Sequence, residues 1–266
     1  MVYPLSNLLL KENLMSYLKQ KEKKYIMTGY TGSVGTILSK EFKYIEHIDI
    51  NKNFIDIDVF LHLAASTNKK NIINSNINYL EQSIEFCFKN KIRNFVFFSS
   101  VSIYGKQNSI SINENWSGNE LSLYGISKLF GETYLKNQNL NILILRLPAI
   151  LTKKDNTYIS SLLTSLKNNE TITLKNYNKN FNNFIGIDDI VKFIKKYNFS
   201  KPYEVLNFAS SQQQSLRDIV LYLHKKINSK SKIVYNDERS DFYNLSIDKL
   251  TNEYKFCTNY LYGKFK

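Results

Sequence analysis

The chain has only two cysteines, Cys87 and Cys257, far apart and in no metal-ligand spacing. That scarcity excludes a disulfide framework and a zinc module, and it fits a reduced, cytoplasmic protein with two ordinary thiols. No metal site is expected. No apolar run approaches the roughly 18 residues of a membrane span, so no transmembrane segment is expected. Residues 1–24 form a polar, lysine-rich extension around Leu8-Leu9-Leu10 and Leu14. They lack the longer apolar stretch and small-residue cleavage site of a secretory signal. They read as an amphipathic helix packed on the body or on a partner, with peripheral membrane contact left open. The lysines are scattered, without the concentrated arginine stripe of nucleic-acid proteins, and no nucleic-acid partner is expected. There is no internal repeat and no long linker.

What is present is enough for a sizeable core. The chain has 266 residues, 43% of them hydrophobic, which makes it globular. The formal charge of +13 reflects a chain rich in Lys, Asn, Ile and Tyr throughout, and it modestly favours an anionic substrate.

Short apolar segments alternate with helical ones. Strands are expected at Lys24–Thr28, Tyr44–Ile50, Asp58–Ala65, Asn94–Ser99 and Asn141–Leu147, and helices at Ser33–Phe42, Asn76–Lys89 and Tyr124–Asn137. The third and fourth strands are apolar on both faces, as buried parallel strands are. This alternation predicts βαβ units: an α/β fold with a doubly wound parallel sheet of Rossmann type. The stretch between Ile50 and Asp58 is short enough that a strand and a helix are missing there. Residues 25–150 read as the dinucleotide-binding core and 151–266 as a small C-terminal substrate-binding lobe, some of whose elements return to the core. Helices are expected in that lobe at Tyr158–Lys167, Asp188–Tyr197 and Leu216–Ile227, with short strands near Thr171–Leu174, Val205–Phe208 and Lys232–Tyr235.

Three motifs carry chemistry. The run Thr28-Gly29-Tyr30-Thr31-Gly32-Ser33-Val34-Gly35 follows a strand and opens a helix. Gly29 permits the tight turn, Gly32 lets backbone approach a pyrophosphate, and Gly35 lets the helix pack on the strand. Asp49 lies about 20 residues past Gly29, near the interval of a ribose-binding acid, although a surface aspartate at a strand end fits as well. NAD is favoured and NADP stays open. Further on, Ser99-Ser100 precedes Tyr124-Gly125-Ile126-Ser127-Lys128. Four residues are about one helical turn, so the phenol and the ammonium share a face. A nearby ammonium is expected to lower the tyrosine pKa. His62, within a buried strand, reads as a core histidine.

With these motifs in this order, the chain resembles the extended short-chain dehydrogenase/reductases of the NAD-dependent epimerase/dehydratase group, which act on nucleotide sugars. The resemblance runs from about Lys24 to about Leu250. It rests on the glycines, on Asp58–Ala65, on Ser99–Gly105, on Tyr124 and Lys128, and on Arg146. Further matches are Phe184–Asp189, the pair Arg239 and Asp241, and Asp248-Lys249-Leu250. It implies that Tyr124 is the acid/base, that Lys128 holds the nicotinamide ribose and tunes the tyrosine, and that Ser100 orients the reacting oxygen. The dinucleotide would be contacted by Gly29, Thr31, Gly32, Ser33, Val34, Gly35 and Asp49. Leu63, Ala64, Ala65, Ser99 and Leu147 would line the same site, with Ser99 open to a structural role. The substrate would meet Ser100, Ser102, Tyr124 and Arg239.

The departures concern the substrate. Ala149 stands where relatives often carry asparagine, and Asn182 where they often carry arginine before Asp-Phe-Ile. Lys175 and Lys179 are candidate replacements, with solvated lysines as the alternative. Dehydratases carry an acidic pair after the catalytic hydroxyl; here Val101-Ser102 follows, which disfavours dehydration. A 4-ketoreductase, slightly favoured by the compact chain, and an epimerase remain. An inactive dinucleotide-sensing or partner-binding protein is the alternative, and the presence of Ser100, Tyr124 and Lys128 argues against it. The resemblance also implies a homodimer through Asn76–Lys89 and Tyr124–Asn137, with Leu80, Ile84, Cys87, Phe88, Leu129, Phe130 and Tyr134 as apolar positions.

Overall fold

A computed structural model describes residues 22–45, 53–66, 70–107, 111–152, 158–211, 214–238 and 242–258. The expected N-terminal helix, Asp49, Arg239 and Asp241 lie outside the described residues.

Short apolar strands that are buried on both faces stack into one parallel sheet. Its strands are β1 (Tyr25–Thr28), β2 (Lys43–Tyr44), β3 (Val59–His62), β4 (Asn94–Ser100), β5 (Asn141–Leu147) and β9 (Tyr203–Asn207). Their order is β2-β1-β3-β4-β5-β9, every neighbour pair parallel. The chain leaves β1 for one edge and then returns to β3 on the other side, so the sheet reverses its winding at the β1/β3 crevice. Such switch points are where α/β sheets bind ligands.

Helices cover both faces because the strands expose apolar side chains on both. Helices α2 (Ile72–Lys89) and α3 (Leu123–Leu135) cover one side, over Phe60, Phe95, Ile142 and Ile144. The other side holds α1 (Ser33–Leu38) and α5 (Ile187–Lys196), with Leu61, Val96, Leu143 and Leu145 beneath them. A third cluster joins α4 (Tyr158–Lys167), α6 (Leu216–Lys226), β7 (Ile172–Lys175) and β8 (Phe184–Gly186). β7 pairs with β10 (Ile233–Asn236), and β8 pairs with β6 (Ala149–Leu151). Helix α7 spans Asp248–Asn252.

Several expected boundaries move. α1 stops at Leu38 rather than Phe42, because the next residues tighten into turns closed by Lys40 N to Ile37 O and Phe42 N to Leu38 O. α2 begins at Ile72, a turn before Asn76. The second strand is Lys43–Tyr44, residues 46–50 of the expected Tyr44–Ile50 lie outside the described residues, and the third is trimmed to Val59–His62. Between Tyr44 and Val59 the described residues hold no strand or helix. The strand near Val205 belongs to the main sheet as β9, whereas β6 and β8 were not anticipated. Of the expected interface positions, Leu80, Ile84 and Cys87 face the core instead.

Candidate active site

The glycine run turns sharply from β1 into α1. Gly29 has φ +78, where glycine is favoured, and a Cβ there would lie 2.7 Å from the Ala64 nitrogen. A Cβ on Gly35 would fall 1.9 Å from Gly29 O, so the helix can sit this close to the turn only as glycine. Gly29, Thr31, Gly32, Leu63, Ala64 and Ala65 line one cleft of ≈ 400 Å³ at the β1/β3 crevice. Ser33 is exposed beside it, Val34 packs against the core, and Leu147 is buried at the end of β5.

Asn76 and Tyr79, which the motifs did not single out, line the same cleft from α2. Asn76 accepts from Ser66 N at 2.6 Å and donates to Ser127 Oγ at 3.0 Å. It therefore joins the cleft floor to helix α3. The available signal was a polar residue at a position facing the apolar core.

The catalytic candidates meet at the end of β4. Ser100 closes the strand and caps a 3-10 turn, Val101–Tyr104, by accepting from Ser102 N at 3.1 Å. Its hydroxyl donates to Ser102 Oγ at 3.0 Å. α3 starts beyond this turn, capped by Ser122, whose Oγ accepts from Gly125 N. A Cβ on Gly125 would come within 2.4 Å of Ser102 O, so glycine brings the first turn of α3 against the residues after Ser100. Lys128, only 3% exposed, donates to Phe98 O at 2.8 Å. Its Nζ lies 5.7 Å from the centre of the Tyr124 ring.

The electrostatics differ from the expectation. Burial pushes the Tyr124 phenol up from its ordinary value, whereas a neighbouring ammonium acting alone would lower it. Desolvation dominates because Tyr124 is half-buried and Lys128 is turned to a backbone carbonyl. Burial also lowers the Lys128 ammonium to about 8, opposed by the Glu132 carboxylate. His62 is held neutral, lowered to about 3, first by burial and then by Lys128.

Ser99 does not face the cleft. The residue is 4% exposed, and its hydroxyl donates to Glu132 Oε1 at 2.5 Å. Asn182, at the place of the expected arginine, is 4% exposed. Its amide donates to Leu245 O at 2.8 Å and accepts from Leu245 N at 3.1 Å, stapling two segments of backbone. Lys175 pairs with Glu238 at 2.7 Å, and Lys179 lies 5.1 Å over the Phe242 ring. Among the described residues no acidic and thiol or imidazole groups cluster in a way that could hold a metal ion, and no helix is long and apolar enough to cross a membrane.

Known proteins are similar to this chain in sequence and in fold. A putative UDP-glucose 4-epimerase of Methanocaldococcus jannaschii is 25% identical over 220 residues, covering 76% of this chain and 72% of its own length. A dTDP-D-glucose 4,6-dehydratase of Dictyostelium discoideum is 28% identical over 190 residues, 57% of this chain and 43% of its own. The crystal structure of a UDP-glucuronic acid 4-epimerase from Bacillus cereus, in complex with NAD, superimposes with a TM-score of 0.70 at 22% identity. The match covers 89% of this chain and 94% of that one. The model of the NAD dependent epimerase/dehydratase family matches residues 46–209. That is more than half of the chain, and the protein is a member of this family of NAD-dependent enzymes, with the Rossmann fold its sheet displays.

Proposed function

We propose that the protein is a nucleotide-sugar 4-epimerase in which Tyr124 exchanges the proton of a sugar hydroxyl. The observation that carries this is the packing of α3 on the turn after Ser100. It puts Tyr124 and Lys128 at the end of β4, on the sheet edge that also bears the glycine cleft. The cleft fits NAD, since a Cβ on Gly32 would meet nothing nearer than Gly29 O at 3.6 Å, which leaves the backbone there open to a pyrophosphate, and its walls include the small residues Ala64 and Ala65. Gly32 and Thr31 would hold the pyrophosphate and Lys128 the nicotinamide ribose. NAD, when bound, supplies the two-electron acceptor for the carbinol hydrogen.

The protein supplies the rest. Ser100 can turn its hydroxyl from Ser102 to the sugar oxygen and hold it. Tyr124, raised by burial, is a ready proton donor to that oxygen; the charge on Lys128 favours the reverse transfer. Ser102 offers a hydroxyl but no acid or base, so nothing in the turn drives elimination of water. Epimerisation requires only that the hydrogen return to the opposite face of the carbon. Support for this choice comes from relatives named as epimerases. A 4-ketoreductase reading is favoured by one observation: Asn182 is spent on Leu245 and brings no cation to the substrate side.

Incubation with UDP-glucose, without added reduced dinucleotide, is expected to yield the C4 epimer. Stoichiometric consumption of NADH or NADPH with a 4-keto nucleotide sugar would establish the reductase instead. Neither reaction, with NAD failing to bind in a fluorescence titration, would end both readings.

The active protein is proposed to be a homodimer through α2 and α3. Phe88, Leu123, Ile126, Leu129 and Phe130 are exposed on those helices, with Phe130 at 50% and Leu123 at 48%. Exposed apolar residues gathered on one surface mark an interface. Light scattering should give a dimer mass that Phe130→Glu reduces to a monomer.

A further inference from the structure

The geometry points to Glu132 as a positioning residue for the Tyr124–Lys128 pair: through Arg146 and Ser99 it holds α3 in register with the ends of β4 and β5. This rests on the proposed use of Tyr124 and Lys128.

Glu132 lies one helical turn beyond Lys128, and Lys128 one turn beyond Tyr124, so all three share a face. It is 3% exposed, and a carboxylate so deep is costly unless its oxygens are bonded. They are. Arg146 Nη2 donates to Oε2 at 2.7 Å, Arg146 Nε reaches both oxygens at 3.2 Å, and Ser99 Oγ adds its bond to Oε1. Ser99 and Arg146 face each other in the β4/β5 register. They immediately precede Ser100 and Leu147, so one carboxylate grips both strands a residue short of the reacting end.

The far side of Arg146 extends the grip. Its Nη1 donates to Tyr104 OH at 2.9 Å and to Glu114 O at 2.6 Å. Tyr104 closes the turn after Ser100, and its phenol donates to Asn207 Oδ1 on β9 at 2.6 Å. Helix α3, strands β4, β5 and β9 and the Ser100 turn thus meet at one ion pair. An apolar cluster of the same volume would be as stable or more so. What directional bonds add is a single register for the helix. Phe98 O, which receives Lys128 Nζ, is next to Ser99, so a slip of α3 at Glu132 would also break that contact. The charged and titratable groups around Lys128 are His62 on β3, Tyr124 and Glu132 on α3, and Arg146 behind Glu132 on β5.

The experiment replaces the charge and keeps the shape, with Glu132→Gln. The titration of Lys128, followed by NMR in protein carrying side-chain-labelled lysine, should move down by roughly one pH unit, since Glu132 opposes its desolvation. Turnover of UDP-glucose should fall roughly ten- to hundredfold with KM and NAD affinity within about twofold. A folded Glu132→Gln protein with an unmoved Lys128 titration overturns the inference. If Glu132→Gln does not fold, Glu132→Gln with Arg146→Met removes both charges. That pair should fold and still show the lowered Lys128 titration and turnover; parent-like values would reduce Glu132 to a stability role. An inactive parent protein would instead overturn the proposed function, and the NMR titration would still decide the inference.

Discussion

The wall proposed to be catalytic and the lobe proposed to meet the substrate are held together by different means. At the wall, charge is buried: Lys128, Glu132 and Arg146 are 3%, 3% and 8% exposed, and their donors meet bonded acceptors. In the part of the lobe built on α4, α6, β7 and β10, charge sits at the surface. Lys175 and Glu238 form an ion pair exposed on both sides, and Arg217 lies over the Tyr235 ring at 5.3 Å. The interior link there is made by amides, Asn182 to Leu245 and Asn183 Nδ2 to Tyr243 O at 3.1 Å. Buried ion pairs fix geometry and are costly to disturb, whereas exposed pairs contribute little. The half proposed to place the reacting groups is held by several directional bonds at once, and the half proposed to meet the substrate by a few amide links.

The largest effect should fall at the wall. Tyr124→Phe removes one oxygen from a half-buried ring and leaves the helix and its Ser122 cap in place. Turnover should drop by roughly 10²- to 10⁴-fold, with NAD affinity unchanged by titration. Turnover within a few fold of the parent would make the wall merely structural and erase the contrast.

Gly35→Ala probes how little room the wall has. The added methyl would meet Gly29 O at 1.9 Å, and backbone cannot swing aside as a side chain does. A stability loss of about 1–3 kcal/mol or more in urea is expected, together with loss of NAD binding. Gly32→Ala is the control for stability alone, because its nearest atom, Gly29 O, would be 3.6 Å away while its backbone borders the cleft proposed for NAD. Equal losses for both would mean that the turn is not tight where the geometry puts it.

This contrast also explains what could be read beforehand. β4, β5 and α3 were legible because each is a run of seven or more residues with one period, and because Ser100, Tyr124 and Lys128 lie in local motifs. β6 and β8 were not, as each has three residues and pairs across about 35 positions of chain. Lys128 was legible as a residue but not as a charge in its surroundings, since the desolvation that governs it comes from the strands beneath. Glu132 and Arg146 lie on different elements, and nothing local in the sequence joins them. Asn182 was legible as a missing cation, and only the fold revealed that its amide staples Leu245.

That staple makes the sharpest test of the lobe. Asn182→Ala leaves the buried N–H and C=O of Leu245 without their partner, which costs about 1–3 kcal/mol. The loss should appear as faster hydrogen exchange around residues 243–247 and a raised KM for nucleotide sugar, with NAD affinity unmoved. A matching loss of NAD affinity would show that wall and lobe are coupled more tightly than the comparison holds. Arg239, outside the described residues, is the proposed phosphate contact of the lobe. Arg239→Ala should raise KM by about tenfold, the value of one charge-assisted hydrogen bond.

The smallest effect, visible only as pH falls, belongs to His62 at the wall. His62 is 1% exposed, and the rings of Phe95 and Phe97 stack on it at 6.0 and 5.7 Å. Its Nδ1 lies 2.9 Å from Ser83 Oγ, and that hydroxyl already donates to Tyr79 O at 2.8 Å. A backbone hydrogen bond with Ala64 favours the charged ring but is outweighed by burial. Burial and the Lys128 charge hold the folded pKa at about 3, below the unfolded value of 6.5. The unfolded chain thus binds a proton that the folded chain refuses. The stability His62 contributes is complete above pH 6.5 and is lost as pH falls from 6.5 toward 3, at about 1.4 kcal/mol per pH unit. Carboxylates add their own losses lower down, so the window to read is between pH 6.5 and 5. Urea midpoints there should fall for the parent and stay flatter for His62→Phe, which keeps the ring volume and cannot be protonated. Parallel slopes for the two proteins would mean that acid sensitivity arises elsewhere and that the wall does not hold His62 neutral.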